Sequence, residues 1–328
     1  MQFQIPIQIP PVEPGIGYKD QLMLTGSCFT EHIGQLLATA KFRIMQNPNG
    51  ILFDPVSVCG SLIGYMEGKV YQHEDLFYLN EAWHCWDYHT RFSHPDPDQV
   101  LTGINSSQAA ASQYLKKCSW LVITLGSAFS YNLTTDGRTV ANCHKAPAQT
   151  FHKHMNSIEE IVTAFDGMLY RLFRFNPDIR VLFTISPVRH IRDGIVDNNR
   201  SKARLLEAVH HLVDKFSGLY YFPAYEIVVD VLRDYRFYDI DLVHPNYAAT
   251  HYVLDKFAAT YMDEPTRDLM EQIRKLVIAR SHKPFNPGSN QHQKFLQKYL
   301  EQTVLLSKTY PHIDFSAEIA YFGDQPAV

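Results

Sequence analysis

Several features of common protein classes are missing from this chain of 328 residues. Basic residues do not exceed acidic ones (30 Lys and Arg against 34 Asp and Glu), and the net charge of −4 gives no general attraction to nucleic acid or an anionic membrane. No apolar run reaches transmembrane length without charges. There is no internal repeat and no low-complexity tract. We therefore expect a globular protein without nucleic-acid or membrane partners.

The amino terminus and the cysteines lack two further signals. Residues 1–18 have neither the basic start nor the unbroken apolar centre of a secretory signal peptide, which favours a cytoplasmic location. The five cysteines are an odd number without the paired spacing of a zinc ribbon, so we expect reduced thiols. The potential ligands between His84 and His89 are irregularly spaced around Trp86, and we predict no metal site.

What the chain does have is enough apolar sequence, 45% of its residues, for a large core. Five short runs rich in β-branched and aromatic residues predict buried strands. They are Leu22–Gly26, Phe42–Gln46, Trp120–Leu125, Arg180–Ser186 and Leu219–Pro223. Helical patterns lie between them, for example over Ser157–Phe175 and Asn199–Phe216. This alternation predicts an α/β fold with a mostly parallel sheet, covered on both sides, and functional loops at the carboxyl ends of its strands.

Two regions depart from the alternation. The connection from about residue 51 to 117 begins with a helical pattern and continues with an aromatic stretch able to wall a pocket. Beyond Met262, two amphipathic helices are separated by the breaker Pro284–Gly288. We predict an α/β domain over residues 1–261 with an insertion near 55–117. A helical extension over residues 262–328 would either pack on that domain or pair two chains as a homo-oligomer.

The segment Gly26–Thr30 reads Gly-Ser-Cys-Phe-Thr and lies where the first predicted strand gives way to a helix. Glycine allows a tight turn, and amides in the first helical turn lack partners within the helix, so a substrate oxygen would meet free donors. The same partial positive charge favours a thiolate at Cys28. This junction is the candidate site of chemistry, although Cys28 could instead be a small buried hydrophobe.

The second motif is Asp241-Leu-Val-His244-Pro, directly before a predicted helix from Asn246 to Thr260. With Asp241 three residues before His244, the carboxylate can hold one ring nitrogen while the other faces outward as a base. Such a pair is also common in structural roles, such as capping a helix. Its combination with a glycine-flanked nucleophile far upstream favours catalysis.

The two motifs resemble the first and last sequence blocks of the SGNH (GDSL-type) hydrolases. More closely, Gly-Ser-Cys-Phe is the signature that names the GSCFA-domain family, placed within that superfamily. Further similar segments are Asn47–Pro55, Thr124–Ser127, Asn142–Lys145, Ser186–His190 and Phe222–Glu226. The resemblance covers about residues 22–257. It implies a three-layer α/β/α sandwich with a mostly parallel, flavodoxin-like sheet, and acyl-ester chemistry.

The nucleophile can be assigned in two ways. A gapless comparison with Gly-Asp-Ser-Leu-Thr puts Cys28 at the nucleophile position, and a slip of one residue at the tight turn would put Ser27 there. A thiol beside an imidazole resembles the Cys-His enzymes, which attack esters and thioesters. Both residues remain candidates.

The oxyanion hole departs from the family pattern. SGNH enzymes are expected to use the amide of the nucleophile, a glycine amide and an asparagine side chain. The resemblance assigns the glycine role to Gly50. Ala128 stands where the asparagine is expected, so the third donor would come from the following loop, from Asn142 or His144.

Residues that follow the third and fourth predicted strands complete the candidate site. Gly126 and Ser127 follow the third strand and are predicted to contact substrate. Arg189 and His190 follow the fourth, where they would bind an anionic group or form a salt bridge at a helix terminus. His144 is also predicted to contact substrate.

These residues predict an SGNH-type esterase that cleaves an acyl ester, with acetyl preferred, through a covalent acyl-enzyme. Cys28 or Ser27 attacks the carbonyl, His244 transfers the proton, and Asp241 orients the imidazole, so no cofactor is needed. The aromatic insertion favours a carbohydrate ester over other small molecules. Two alternatives stay open: an acyltransferase that takes its acyl group from a carrier thioester, and a non-catalytic binding module on the same fold.

Overall fold

A computed structural model describes residues 5–323 of the protein. They form two compact units, the first comprising residues 5–9, 21–34 and 44–256, the second residues 10–20, 35–43 and 257–323. The predicted domain ends at residues 1 and 328 lie outside the described residues. None of the helices between residues 5 and 323 is both long and apolar enough to cross a membrane.

The described strands alternate with helices along most of the first unit. The strands are β1 (Gln21–Gly26), β2 (Arg43–Gln46), β3 (Leu76–Leu79), β4 (Ala82–Cys85), β5 (Trp120–Leu125), β6 (Phe129–Leu133), β7 (Thr139–Val140), β8 (Phe151–Met155), β9 (Arg180–Ile185) and β10 (Leu219–Phe222). The helices are α1 (Cys28–Thr39), α2 (Pro55–Glu67), α3 (Pro97–Leu115), α4 (Ile158–Phe175), α5 (Gly194–Lys215), α6 (Ala224–Glu226), α7 (Tyr247–Tyr261), α8 (Glu264–Ser281), α9 (Asn290–Thr309) and α10 (Ser316–Gly323).

All five predicted strands are confirmed, and they form one sheet in the order β10-β9-β5-β1-β2. Counted along the chain, this is the 2-1-3-4-5 order of flavodoxin-like folds, as predicted. Pairing is parallel between β1 and β5, between β5 and β9, and between β9 and β10. The predicted α/β class is therefore confirmed by the strand order itself.

The three inner strands β9, β5 and β1 are buried on both faces because they are mostly apolar on both. All six residues of β5 are buried, which is typical of parallel strands with helices on each side. One face packs against a stripe of α4 that repeats with helical spacing, including Ile161, Phe165 and Leu172. The start of α4 is fixed by a capping box in which Ser157 and Glu160 exchange hydrogen bonds.

The long connection contains more regular structure than the sequence predicted. Its helical start is α2, but the aromatic stretch is partly a hairpin of β3 and β4, followed by α3. The hairpin turns through Asn80 and Glu81, both with positive φ. Hairpins of two residues favour glycine at such positions, so this turn carries little sequence signal. A three-stranded antiparallel sheet, β7-β6-β8, follows β5 and was also not predicted.

The carboxyl-terminal helices belong to the second unit. The two predicted amphipathic helices are confirmed as α8 and α9, and the breaker lies between them. The short helix α10 was not predicted. Its Glu318 is buried and pairs with Lys41 and Arg280 of the same unit, because a buried carboxylate needs compensating charge.

Candidate active site

The carboxyl ends of three neighbouring strands meet in one row of the sheet. Gly26 of β1 pairs with Thr124 of β5, which pairs with Thr184 of β9. At Gly26 the φ angle is +141°, and an added Cβ would lie 2.1 Å from the Thr124 carbonyl oxygen. Only glycine fits there, and the chain turns out of the sheet directly into α1.

A short stretch of chain ties the first two of these loops together. The Leu52 amide donates to the Gly26 carbonyl (3.0 Å), and the amides of Gly126 and Ser127 both donate to the Phe53 carbonyl (2.8 and 3.1 Å). The Asn47 side chain also accepts from the Gly26 amide (2.9 Å). The family-like segment Asn47–Pro55 therefore holds the loops after β1 and β5 together at the edge of the sheet.

The two candidate nucleophiles sit differently at this junction. Ser27 is 3% exposed, its amide donates to the Thr124 carbonyl (3.0 Å), and its Oγ has no hydrogen-bond partner among residues 5–323. Cys28 is the first residue of α1 and carries a half-buried free thiol. Cys28 is therefore the more accessible of the two.

The protonation state of Cys28 differs from the expectation. Burial raises the pKa of the Cys28 thiol above its usual value, although the Phe29 amide and the charge of Lys202 act to lower it. Burial therefore outweighs the helix terminus. The resting form at neutral pH is the neutral thiol, not the predicted thiolate, so attack by Cys28 requires a base.

Asp241 and His244 form the candidate base. Asp241 Oδ2 and His244 Nδ1 are 2.6 Å apart, and the side chains are 46% and 39% exposed. Asp241 Oδ1 also accepts from the backbone amides of Val243 and His244 (2.9 and 3.0 Å). The hydrogen bond to the His244 ring, followed by those from the two amides, lowers the pKa of Asp241 to about 2. His244 Nε2 has no hydrogen-bond partner within residues 5–323, so it is available as a proton acceptor.

The Asp241–His244 loop lies against the loop that follows β9. Arg189 donates from its amide to the Val243 carbonyl (3.4 Å) and from Nη1 to the Leu242 carbonyl (3.3 Å). Since β9 neighbours β5, the imidazole and the Gly126 loop are brought to the same sheet edge. Leu242 has a φ of +58°, a strained value for leucine that the surrounding hydrogen bonds maintain.

A buried lysine was missed by the sequence reasoning. Lys202 of α5 is 1% exposed, and its Nζ donates to the carbonyls of Gly126 and Ser186 (both 2.6 Å). Burial lowers the pKa of Lys202 to about 7. Its two hydrogen bonds join the loops after β5 and β9, and its positive charge acts to lower the pKa of Cys28. Its position on the apolar stripe of α5, three residues before Leu205, was the available sequence signal.

His190 is placed next to the nucleophile loop in a neutral state. A Cβ added to Gly126 would lie 3.2 Å from His190 Nε2 and 3.3 Å from Ser27 Cβ. Burial, followed by the charge of Lys202, lowers the pKa of His190 to about 4. A neutral imidazole can donate a hydrogen bond but adds no positive charge, so His190 is not a cationic ligand for an anionic group.

Three predicted site residues have other partners. The Gly50 amide donates to the Asn47 carbonyl (2.8 Å), and an added Cβ would clash with His89. Asn142 Oδ1 accepts from the His144 amide (2.8 Å). His144 is 5% exposed, its Nε2 lies 2.9 Å from the Cys85 carbonyl, and its Nδ1 lies 3.3 Å from Thr90 Oγ1. Gly50 as an oxyanion donor and His144 as a substrate ligand would first have to change partners, whereas Asn142 Nδ2 has no hydrogen-bond partner among residues 5–323.

Ala128, which stands where the family pattern has an asparagine, is not accessible to a substrate. Ala128 is fully buried, and its amide donates to Ser201 Oγ (2.7 Å). Ser127 is also buried, with its Oγ accepting from the Phe129 amide (3.1 Å) and lying 3.3 Å from Ser201 Oγ. Ser127 therefore has a packing role in this structure, and Ser201 is a second contributor from α5 that sequence reasoning missed.

A cavity of about 450 Å³ opens beside the Asp241–His244 loop. Its lining includes Arg189, Lys202, Tyr225 and Asp241. The Asp241–His244 loop and the loop after β9 thus border a space large enough for a sugar-sized group.

The irregular His84–His89 cluster has structural contacts. The two ring nitrogens of His84 lie 2.6 Å from Ser93 Oγ and 2.9 Å from the Leu79 carbonyl. Phe77 stacks on Trp86 with ring centroids 3.6 Å apart. Between residues 5 and 323, no group of three or more His, Cys, Asp or Glu side chains is arranged to hold a metal ion.

Comparison with known proteins gives a family and distant structural likenesses. The model of the GSCFA family matches residues 21–257, and that of the GSCFA domain protein, C-terminal domain, matches residues 273–326. No curated protein matches the chain.

Three solved structures illustrate the likenesses. A carbohydrate esterase family 3 protein from Talaromyces cellulolyticus is 8% identical (78% of this chain, 99% of that one, TM-score 0.36). A family 3 carbohydrate esterase from Clostridium thermocellum is 10% identical (77% and 97%, TM-score 0.33). An acetyl xylan esterase from Butyrivibrio proteoclasticus is 11% identical (77% and 64%, TM-score 0.36).

Proposed function

We propose that this chain, which belongs to the GSCFA family, is an esterase that cleaves an acyl ester through a covalent acyl-enzyme. The observation that carries the proposal is the Asp241–His244 hydrogen bond of 2.6 Å. It fixes the ring so that Nδ1 is the donor and exposed Nε2 the acceptor. This is the arrangement of a general base at the edge of an α/β sheet.

In the proposed reaction, His244 removes a proton from Cys28, or from Ser27, as the side chain attacks the ester carbonyl. The C–O bond to the alcohol then breaks, and His244 returns the proton to the leaving oxygen. Water, activated by the same imidazole, hydrolyses the acyl-enzyme. Asp241 stabilises the imidazolium that forms in each step. The half-buried thiol of Cys28 favours it over the enclosed Ser27.

The oxyanion that forms needs donors, and the neutral ring of His190 is the one we assign. Its Nε2 abuts Gly126 beside Ser27, while the Gly50 amide donates to the Asn47 carbonyl and Asn142 lies beside Thr90 and His144. A neutral imidazole donates one hydrogen bond without carrying a charge that would trap the product. His190 would thus replace the family's asparagine, whose position Ala128 occupies.

The substrate class is proposed from the surroundings of the site. A sugar-sized cavity with a tyrosine wall favours a carbohydrate acyl ester, with acetyl the preferred acyl group. Transfer to a second acceptor, in place of water, would use the same acyl-enzyme and is the alternative to hydrolysis.

The test is hydrolysis of 4-nitrophenyl acetate by the wild type and by nucleophile variants. If Cys28 is the nucleophile, Cys28→Ala loses about 10³-fold or more in kcat/KM, and Ser27→Ala retains most activity. Cys143→Ala, which removes another half-buried free thiol, is the matched control and stays at wild-type rate. Full activity in both Cys28→Ala and Ser27→Ala would refute the mechanism.

A further inference from the structure

Arg189 is held rigidly but has no acidic partner. Its guanidinium carbon lies 4.0 Å from the ring centroid of Tyr238 and 5.4 Å from that of Tyr235. Nearby Asp234 pairs with Arg236, and Asp241 pairs with His244. Within residues 5–323, no carboxylate forms an ion pair with Arg189. The helix-terminus salt bridge offered as its alternative role is therefore absent from the described part of the chain.

The charge of Arg189 faces the 450 Å³ cavity with little compensation. The other charged side chains that line this cavity are Lys202 and Asp241. Asp241 is engaged by the His244 ring and by two backbone amides. Lys202 Nζ is engaged by two carbonyls. The Arg189 guanidinium has five N–H donors, and Nη1 donates to the Leu242 carbonyl.

A neutral donor group also lines this cavity. Asn199 lines the cavity, where its Oδ1 accepts from Asn198 Nδ2 (3.2 Å), leaving its own amide group without a partner in residues 5–323. Stacking on tyrosine leaves the edge of a guanidinium exposed, and that edge matches the two oxygens of a carboxylate or phosphate. The cavity thus combines a preorganised cation with amide donors.

We propose that this cavity is a subsite for an oxyanion group of the substrate, a carboxylate or a phosphate, and that Arg189 is its main ligand. The inference rests on the proposed function and narrows it: the preferred ester carries a negative charge close to the acyl group. An ester on an acidic sugar, or one beside a phosphate, meets that description.

The kinetic test compares a neutral and an anionic activated acetyl ester, methyl 4-acetoxy-3-nitrobenzoate and 4-acetoxy-3-nitrobenzoate, so that the charge lies on the alcohol side as in the proposed substrate. Arg189→Gln should lower the ratio of kcat/KM for the anionic to the neutral ester by about 10- to 100-fold, mainly through KM, since a hydrogen bond to a charged group is lost. Arg192→Gln removes the same charge from an exposed position three residues on and should leave the ratio unchanged. An unchanged ratio in Arg189→Gln overturns the subsite.

Arg189→Lys and thermal unfolding separate binding from folding. Lysine keeps the charge but not the planar fork, so the ratio should fall between wild type and Arg189→Gln. If both variants unfold with wild-type midpoints, the change in ratio belongs to the subsite. The subsite is contradicted if the kcat/KM ratio falls only in proportion to the loss of stability and is as low in Arg189→Lys as in Arg189→Gln.

A binding arm keeps the subsite testable if the ester chemistry fails. Titration calorimetry of the wild type should detect binding of glucuronate or of inorganic phosphate, and no binding of glucose. Arg189→Gln should weaken the binding that is detected. Glucuronate alone indicates an acidic sugar, and phosphate alone a phosphorylated substrate. Binding without hydrolysis of either ester refutes the esterase and retains the subsite. Hydrolysis of both esters without anion binding or preference refutes the subsite and retains the esterase.

Discussion

Two loops of the first unit each hold a histidine beside polar partners, and they use it in opposite ways. His244 lies on an open loop, bonds Asp241 through Nδ1 and leaves Nε2 to solvent. His144 follows β7 and contacts the aromatic insertion; it is 5% exposed and has both ring nitrogens within hydrogen-bonding distance of partners. The difference teaches that a histidine is available for proton transfer when one ring nitrogen is fixed and the other is free. Substitution should therefore separate activity from stability.

The largest expected effect is on His244. His244→Ala should lower kcat for 4-nitrophenyl acetate by up to about 10⁴-fold, because general base catalysis is lost. The free energy of unfolding should change little, since the ring is exposed. Steady-state kinetics and urea unfolding measure the two effects, with the exposed His211→Ala as control. A normal kcat in His244→Ala would show that His244 is not the general base.

Asp241→Asn should have a smaller effect. The amide keeps the shape but cannot stabilise the imidazolium, so we expect a loss about an order of magnitude smaller than for His244→Ala. The double variant should be no worse than His244→Ala alone, because the two residues act as a unit. Additive losses in the double variant would show that Asp241 does not act through His244.

His190 tests whether a third, neutral histidine shares in catalysis. His190→Leu should lower kcat by about 10²-fold through loss of an oxyanion donor, with little change in KM. His190→Gln keeps a donor and should restore part of that loss. Because burial and Lys202 lower the pKa of His190 to about 4, its neutral form persists above that pH. Equal rates for both variants would remove His190 from the oxyanion hole.

The smallest effect on activity is expected for His144. His144→Leu should retain kcat but lower the free energy of unfolding by about 1–3 kcal/mol, because the Cys85 carbonyl loses its partner. A large fall in kcat with wild-type stability would instead support the predicted role of His144 in the site.

The pH dependence of stability is a second test of the structural role of His144. Burial lowers the pKa of His144 to about 4, so between pH 4 and the ordinary value near 6.5 the unfolded chain binds more protons than the folded one. Stability contributed by the neutral ring is present above pH 6.5 and lost as the pH falls towards 4. Urea midpoints across this window should fall less steeply in His144→Leu than in wild type, and parallel curves would contradict the assignment.

The sequence predicted the parts of the molecule that local patterns determine. The strands β1, β5 and β9 are runs of mostly apolar residues buried on both faces, and the Gly-Ser-Cys-Phe signature indicated the family. The pairing of Asp241 with His244 follows from their spacing. Residues whose roles depend on distant packing were harder. Lys202 reaches the loops after two different strands, and the contacts of His144 depend on how the aromatic insertion folds. The hairpin between β3 and β4 lacks the glycine that usually marks its turn.

The central claim is a covalent acyl-enzyme at the start of α1, and trapping it is the most direct test. The protein would be mixed with 4-nitrophenyl acetate, quenched in acid, digested and mapped by mass spectrometry. The account predicts an acetyl group on the peptide that contains Gly26–Thr30, on Cys28 or Ser27, and far less of it in His244→Ala. Rapid ester hydrolysis with no adduct on either residue, or with an adduct elsewhere, would contradict it.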